Sequence, residues 1–272
     1  MPTLTLSPGN TLAYDYVQPS DGGKTFVCFN ALSGDMSMWT ASLGERLKAA
    51  GHGWLIYNLR GQAGSDYTIA RFDEAQIVAD AVTLFDHVRP VRPIHVGLSI
   101  GGLFALKVHL AGGNGAADGL VLINTLRKAG PRLDWVNDAV VRAAETGGMN
   151  LLKDLYSPLL MNEEWQKQNR AEFLGVGGYT PCAADDPGLL LLKSGPTADW
   201  SVNYESIAVP TLIISGLQDR VFFNSAVVDE LTSRFSRADR VDMLNAGHMI
   251  PVERPNELGE AIVAFVARHL AT

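Results

Sequence analysis

Gly97-Leu98-Ser99-Ile100-Gly101 fits the pattern G-x-S-x-G, in which a tight strand-to-helix turn raises a serine as a nucleophile. Glycines flank the serine because such a turn leaves no room for a Cβ on either side. A serine hydroxyl is a weak nucleophile, so the chemistry needs a base and an acid to orient that base. Among the six histidines, His248 stands out, in Asn245-Ala246-Gly247-His248-Met249 just after the last expected strand. His52, His87, His95, His109 and His269 fall in a glycine turn, on helices, inside a strand or near the C-terminus, and read as surface or core residues. The acid candidate is Asp219, in Gly216-Leu217-Gln218-Asp219, also just after an expected strand. An isolated aspartate there reads as a helix N-cap; Asp242 and Glu253 are the other acids near the histidine. A tetrahedral intermediate also needs backbone donors at its oxyanion. The N–H of Ile100 is one candidate, and that of Leu32, in Asn30-Ala31-Leu32-Ser33-Gly34, is the other. Together these residues predict attack of Ser99 on a carbonyl carbon, with His248 as base and then acid and Asp219 orienting it.

The elements that must position these residues alternate. Residues 3–6 and 12–17 read as a strand hairpin turned at Pro8-Gly9-Asn10. Short apolar runs at 25–29, 54–57, 94–98 and 119–123 read as strands covered on both faces, with helical periodicity over 39–50, 72–88 and 103–110 between them. From 126 to 208 no strand-like run appears; helical stretches cover 135–144, 151–159, 163–173 and 189–193, punctuated by Gly-Gly pairs at 147 and 177. The rhythm resumes with strands at 211–215 and 240–244 and helices at 225–235 and 257–270. This predicts an α/β domain, a mostly parallel sheet of about eight strands flanked by helices. Its core halves are 1–125 and 209–272, with a helical cap over 126–208. Serine, aspartate and histidine all fall at strand C-terminal ends, where open α/β sheets bind ligands.

Composition narrows the function. Of 272 residues, 47% are apolar and 19% charged, enough to bury a large core. A net charge of −7 argues against nucleic acid or an anionic membrane as the main partner. Cys28 and Cys182 are the only cysteines, so neither a disulfide scaffold nor a CxxC metal site is expected. MPTLTLSPGN lacks the features of a signal peptide, and no apolar run approaches the ~20 residues of a membrane span. The expectation is a cytoplasmic protein acting on a small molecule, with no metal and no cofactor.

Over essentially its whole length the chain resembles the α/β-hydrolase superfamily, in which the triad runs in the order serine, acid, histidine. Asn58-Leu59-Arg60-Gly61-Gln62-Ala63-Gly64-Ser65 resembles the family loop D-x-R-G-x-G-x-S, with Asn58 in place of the acid. Within the superfamily the chain looks most similar to 3-oxoadipate enol-lactonases and related small-molecule hydrolases. Those have a serine–asparagine–serine–leucine–glycine stretch where this chain has Phe29-Asn30-Ala31-Leu32-Ser33. The stretches Gly97–Leu103 and Val209–Asp219 resemble the same subfamily. The resemblance implies cofactor-free hydrolysis of a lactone or carboxylic ester. Haloalkane dehalogenases and cysteine-based dienelactone hydrolases are excluded, since their nucleophiles are not serine. C–C bond hydrolysis, a cofactor-free lyase reaction and acyl transfer use the same constellation, and a non-catalytic small-molecule receptor keeps the same fold.

The insertion carries Trp135, Tyr156, Trp165, Tyr179 and Trp200, read mainly as residues packing it onto the core. Candidates for the substrate pocket are Asn30, Trp135, Tyr156, Trp165 and Met249. Arg127, Lys128 and Arg132, where the insertion begins, read as a solvated cluster, the other reading being a site for a substrate carboxylate.

Overall fold

The strands are β1 (Thr3–Ser7), β2 (Asn10–Val17), β3 (Thr25–Phe29), β4 (Gly53–Tyr57), β5 (Pro93–Leu98), β6 (Gly119–Ile123), β7 (Thr211–Gly216) and β8 (Ala238–Met243). This is the architecture of a computed structural model that describes residues 1–68, 72–172 and 178–271. The strands make one eight-stranded sheet in the order β1-β2-β4-β3-β5-β6-β7-β8. The β1–β2 and β2–β4 pairs are antiparallel and every pair from β4 to β8 is parallel. The helices are α1 (Ser37–Trp39), α2 (Glu45–Ala49), α3 (Glu74–Val88), α4 (Ile100–Ala111), α5 (Pro131–Leu160), α6 (Glu163–Gln168), α7 (Pro187–Ser194), α8 (Ser225–Ser233), α9 (Ile250–Glu253) and α10 (Pro255–His269). A π-helical turn, Thr40–Gly44, joins α1 to α2.

Strand parity divides the core into two layers. Phe26, Cys28, Val96, Leu98, Val121 and Ile123 face Trp39, Leu43, Leu47, Leu258, Ile262 and Phe265. Val27, Phe29, Leu55 and Tyr57 face the opposite way, onto α3 and α4, and Leu120, Leu122 and Ile213 pack on Val228 and Leu231 of α8. All residues of β3, β6 and β7 are buried, as unbroken apolar runs require of a sheet covered on both sides.

Three elements differ from their sequence expectation for physical reasons. Helix α4 starts at Ile100 rather than three residues later. Gly101 and Gly102 look like a turn, but they are helical glycines pressed against the backbone of β3 and the side chain of Thr125. The stretches 135–144 and 151–159 are two limbs of α5, meeting at Gly148, whose φ of +73° breaks the helical backbone. A Cβ there would strike the carbonyl of Thr180. Helix α6 ends at Gln168, followed by a 3-10 turn at Arg170–Glu172. Residue 173, the expected end of that helix, and Gly177 lie outside the described residues. Among the described residues no helix is long and apolar enough to cross a membrane.

His95, on β5, is fully buried between the rings of Phe29 and Phe85, both 5.1 Å away. Its Nδ1 donates to the carbonyl of Ala105 and its Nε2 has no partner. Burial pushes its pKa down to about 3. Unfolding releases this imidazole to its ordinary pKa near 6.5, so the unfolded chain gains a proton below that pH and the folded chain does not. His95 should therefore withdraw up to about 1.4 kcal/mol of stability per pH unit as pH falls from about 6 to 4. Urea unfolding of His95→Leu over that range should show a slope flatter by that amount than the wild type.

Candidate active site

Each candidate side chain stands at the C-terminal end of a parallel strand. Ser99 follows β5 directly, at φ +58° and ψ −125°, a positive-φ conformation costly for a residue with a side chain. The backbone around it is close-packed: a Cβ on Gly97 would meet Gly102, and one on Gly101 would meet the carbonyl of Phe29. Asp219 follows β7, and His248 lies in the loop between β8 and α9.

Asp219 and His248 are 3% and 4% exposed. His248 Nδ1 donates to Asp219 Oδ2 at 2.6 Å. The other carboxylate oxygen accepts the N–H groups of Val221 and Phe222 at 3.0 and 2.9 Å. Burial alone would raise the pKa of this carboxyl. The charge and hydrogen bond of His248, the Phe222 N–H and the nearby Arg127 cation outweigh burial and hold it below the usual aspartate value. Asp219 thus carries an ionised carboxylate bonded to His248, and the N-cap of the following helix α8 is Asn224.

Two residues that the sequence reading did not assign hold the histidine loop. Asn124, just past β6 at φ +48°, donates to the carbonyls of Gly247 and His248 and accepts the Gly216 N–H. One amide thereby ties the ends of β6 and β7 to the loop of the base. Glu253 does not reach the imidazole. Its buried carboxylate accepts the N–H groups of Asn162, Gly247 and Met249 at 2.6, 2.9 and 2.8 Å. The His248 N–H donates to the carbonyl of Leu160 at 2.5 Å, at the end of α5. Asp242 pairs with Arg240 on β8, away from the site.

Leu32 and Ile100 both line a cavity of about 350 Å³ that also touches Ser99 and His248. Ile100 is the first residue of α4, so its N–H has no partner inside the helix. The loop bearing Leu32 is fixed by Gln62, whose Nε2 donates to the carbonyls of Ala31 and Leu32.

Of the substrate-binding candidates, Tyr156 and Met249 line this cavity. Asn30, Trp135 and Trp165 do not. Asn30 turns into the core, donating to the Tyr57 carbonyl, Asn58 Oδ1 and Gln62 Oε1 and accepting from Trp39 Nε1. Asn58 completes that network by accepting the Met36 N–H and donating to the Ala63 carbonyl, a donation a carboxylate cannot make. Trp135 is 79% exposed on the outer face of α5 and belongs to a separate surface groove with Asp138 and Arg142. Trp200, read from sequence as a packing residue, lines the cavity, while Tyr179 is exposed and donates to Asp154.

The basic cluster splits. Lys128 pairs with Glu230 and Arg132 donates to the carbonyls of Arg220 and Val221, both near the surface. Arg127 is not solvated: it is 7% exposed, and its Nη2 donates to Ser99 Oγ at 2.9 Å.

A family model described as alpha/beta hydrolase fold matches residues 24–255. The chain belongs to the α/β-hydrolase family. This hydrolase is 22% identical over 270 residues to 3-oxoadipate enol-lactonase 2 of Acinetobacter baylyi, with 94% of each chain covered. It superposes on the enol-lactonase of Burkholderia xenovorans LB400 with a TM-score of 0.77 and 24% identity, covering 98% of this chain and 100% of the other. A thermophilic esterase from Thermogutta terrifontis gives a TM-score of 0.80 at 20% identity, with all of both chains covered. At these identities the structural likenesses establish the fold.

Glu253→Gln should destabilise the protein by about 2–4 kcal/mol, since an amide nitrogen would face backbone donors where a carboxylate oxygen accepts them. Urea unfolding at neutral pH checks the value, and a change below about 0.5 kcal/mol would contradict the role given to Glu253.

Proposed function

We propose that this hydrolase cleaves a carboxylic ester or lactone of a small molecule through an acyl-enzyme. The observation that carries the reading is the buried Asp219–His248 pair standing beside Ser99 on a strained turn at the N-terminus of α4. The likeness to enol-lactonases and to an esterase supports the same reaction class.

Ser99 Oγ attacks the carbonyl carbon and its proton passes to His248 Nε2. The negative charge that develops on the carbonyl oxygen is held by the N–H groups of Leu32 and Ile100. The ionised Asp219 keeps the Nδ1–H tautomer and stabilises the imidazolium. The C–O bond then breaks as His248 returns the proton to the leaving oxygen, which for a lactone stays attached to the acyl group. Water, deprotonated by His248, attacks the acyl-enzyme, and the proton goes back to Ser99. Residues 126–208 act as the cap that closes the pocket over these groups, and no step calls for a metal or cofactor.

A panel of lactones, enol-lactones and aryl esters, run against wild type and Ser99→Ala, tests the class. Turnover should be lost in Ser99→Ala with the fold intact, because the hydroxyl-to-methyl change is nearly isosteric. Asp219→Asn should lower kcat by roughly 10⁴, the loss known for the same change in the serine-protease triad. Adding it to His248→Ala should cost little more than His248→Ala alone, because residues acting as a unit are non-additive. Multiplying losses would instead place Asp219 outside the mechanism.

A further inference from the structure

Arg127 is a buried cation with no carboxylate against it. Its guanidinium makes hydrogen bonds to three neutral oxygens: the carbonyls of Asn124 and Thr125, and Ser99 Oγ. Nη1 makes no hydrogen bond to any described residue. The rings of Trp200 and Phe222 lie 4.8 and 4.2 Å from its central carbon. Such ring contacts return less than it takes to move an ion out of water. Asp219 is near enough to act through its field, but it is hydrogen-bonded to His248 and to backbone N–H groups. Burial lowers the pKa of Arg127 to about 10, so it remains charged at neutral pH. The charge is thus built into the cavity wall without a carboxylate bonded to it, beside Ser99 Oγ.

The contact with Ser99 has a second side. Among the described residues Arg127 is the only hydrogen-bond partner of Ser99 Oγ, and no hydrogen bond joins that oxygen to His248. Arg127 thus holds Oγ in a position from which its proton makes no hydrogen bond to His248, and the imidazole stands unengaged. An ammonium- or guanidinium-type donor bonds a carboxylate about twice as strongly as a neutral oxygen, so an anion arriving at Arg127 competes well with the serine. The rest of the cavity wall is largely apolar, including Leu133, Val140, Leu152 and Leu192; Lys153 also lines it and is paired with Glu172.

Resting on the reading of Ser99 as nucleophile, we propose that Arg127 is an anion-operated latch: it holds Ser99 Oγ in the free enzyme and releases it to His248 when an anionic group of the substrate, carboxylate in size, takes over the guanidinium. No covalent bond changes in this step; one N–H exchanges a hydroxyl acceptor for a carboxylate, and the hydroxyl turns its proton toward the imidazole.

Two measurements test the latch. The first compares the 4-nitrophenyl monoester of glutaric acid with 4-nitrophenyl valerate, which share a leaving group and differ in the acyl-chain charge. Wild type should favour the anionic ester in kcat/KM. Arg127→Met should shrink that preference by about 10- to 100-fold, the worth of a hydrogen bond to a charged group. Arg127→Lys should restore part of it. Equal losses on both esters would overturn the proposal and make Arg127 a general support of the site. The second follows labelling of Ser99 by a neutral fluorophosphonate at constant ionic strength. Acetate should accelerate labelling several-fold in wild type and not in Arg127→Met. Labelling that proceeds but ignores acetate overturns the latch alone. A Ser99 that is never labelled overturns the reading of the nucleophile beneath it.

Discussion

The burial of an ionised carboxylate is the constraint around which this molecule is arranged. Asp219 has almost no contact with water, and its charge persists only because a ring N–H, two backbone N–H groups and the field of Arg127 replace the hydration it has lost. Those donors come from separate loops, so the ends of β7 and β8 and the start of the insertion must meet at fixed distances. Asn124 and Glu253 set those distances by hydrogen bonds to backbone rather than by touching the reacting groups. The choice of residue type follows: an amide serves where one side chain must both accept and donate, and a carboxylate where only N–H groups converge.

The other wall of the site is held by neutral groups. Asn30, Asn58 and Gln62 form a connected amide network under the loop that carries Leu32, closed by the indole N–H of Trp39. Asp219 and Arg127 thus place one negative and one positive side chain near the imidazole, and Lys153, paired with Glu172, lines the cavity elsewhere. A substrate that brings its own anion alters that balance more than any neutral ligand does.

The positions of the candidate residues were legible in the sequence because they are set locally. Ser99 directly follows the strand β5, and Asp219 and His248 lie a few residues past the ends of β7 and β8, places that the strand pattern locates well. The sheet was legible for the same reason, since β3, β6 and β7 are uninterrupted apolar runs. What could not be read depends on which loops face one another. Arg127, Lys128 and Arg132 share composition and neighbourhood, yet only Arg127 turns inward, because Trp200 and Phe222, roughly 70 and 95 residues further along by residue number, supply its surroundings. Trp135 and Trp200 are alike as letters, and only tertiary packing sends one to solvent and the other to the cavity. Asn30 was misread because its motif position is beside the oxyanion loop, while its side chain satisfies buried backbone beneath it. Glu253 lies close to His248 in the chain and was weighed as an acid, but its oxygens are consumed by amide protons.

The joint between α5 and the histidine loop bears on how the pocket admits a ligand. The Leu160 carbonyl holds the His248 N–H, and the next turn contributes the Asn162 N–H to Glu253. Displacing that end of α5 from the sheet would break both bonds and free the loop that carries His248. The opposite limb ends at Gly148, where the helix is already interrupted and only the backbone near Thr180 lies close. One limb of α5 thus fastens the histidine loop to the insertion, and the other, beyond Gly148, is joined to it only through an interrupted helix.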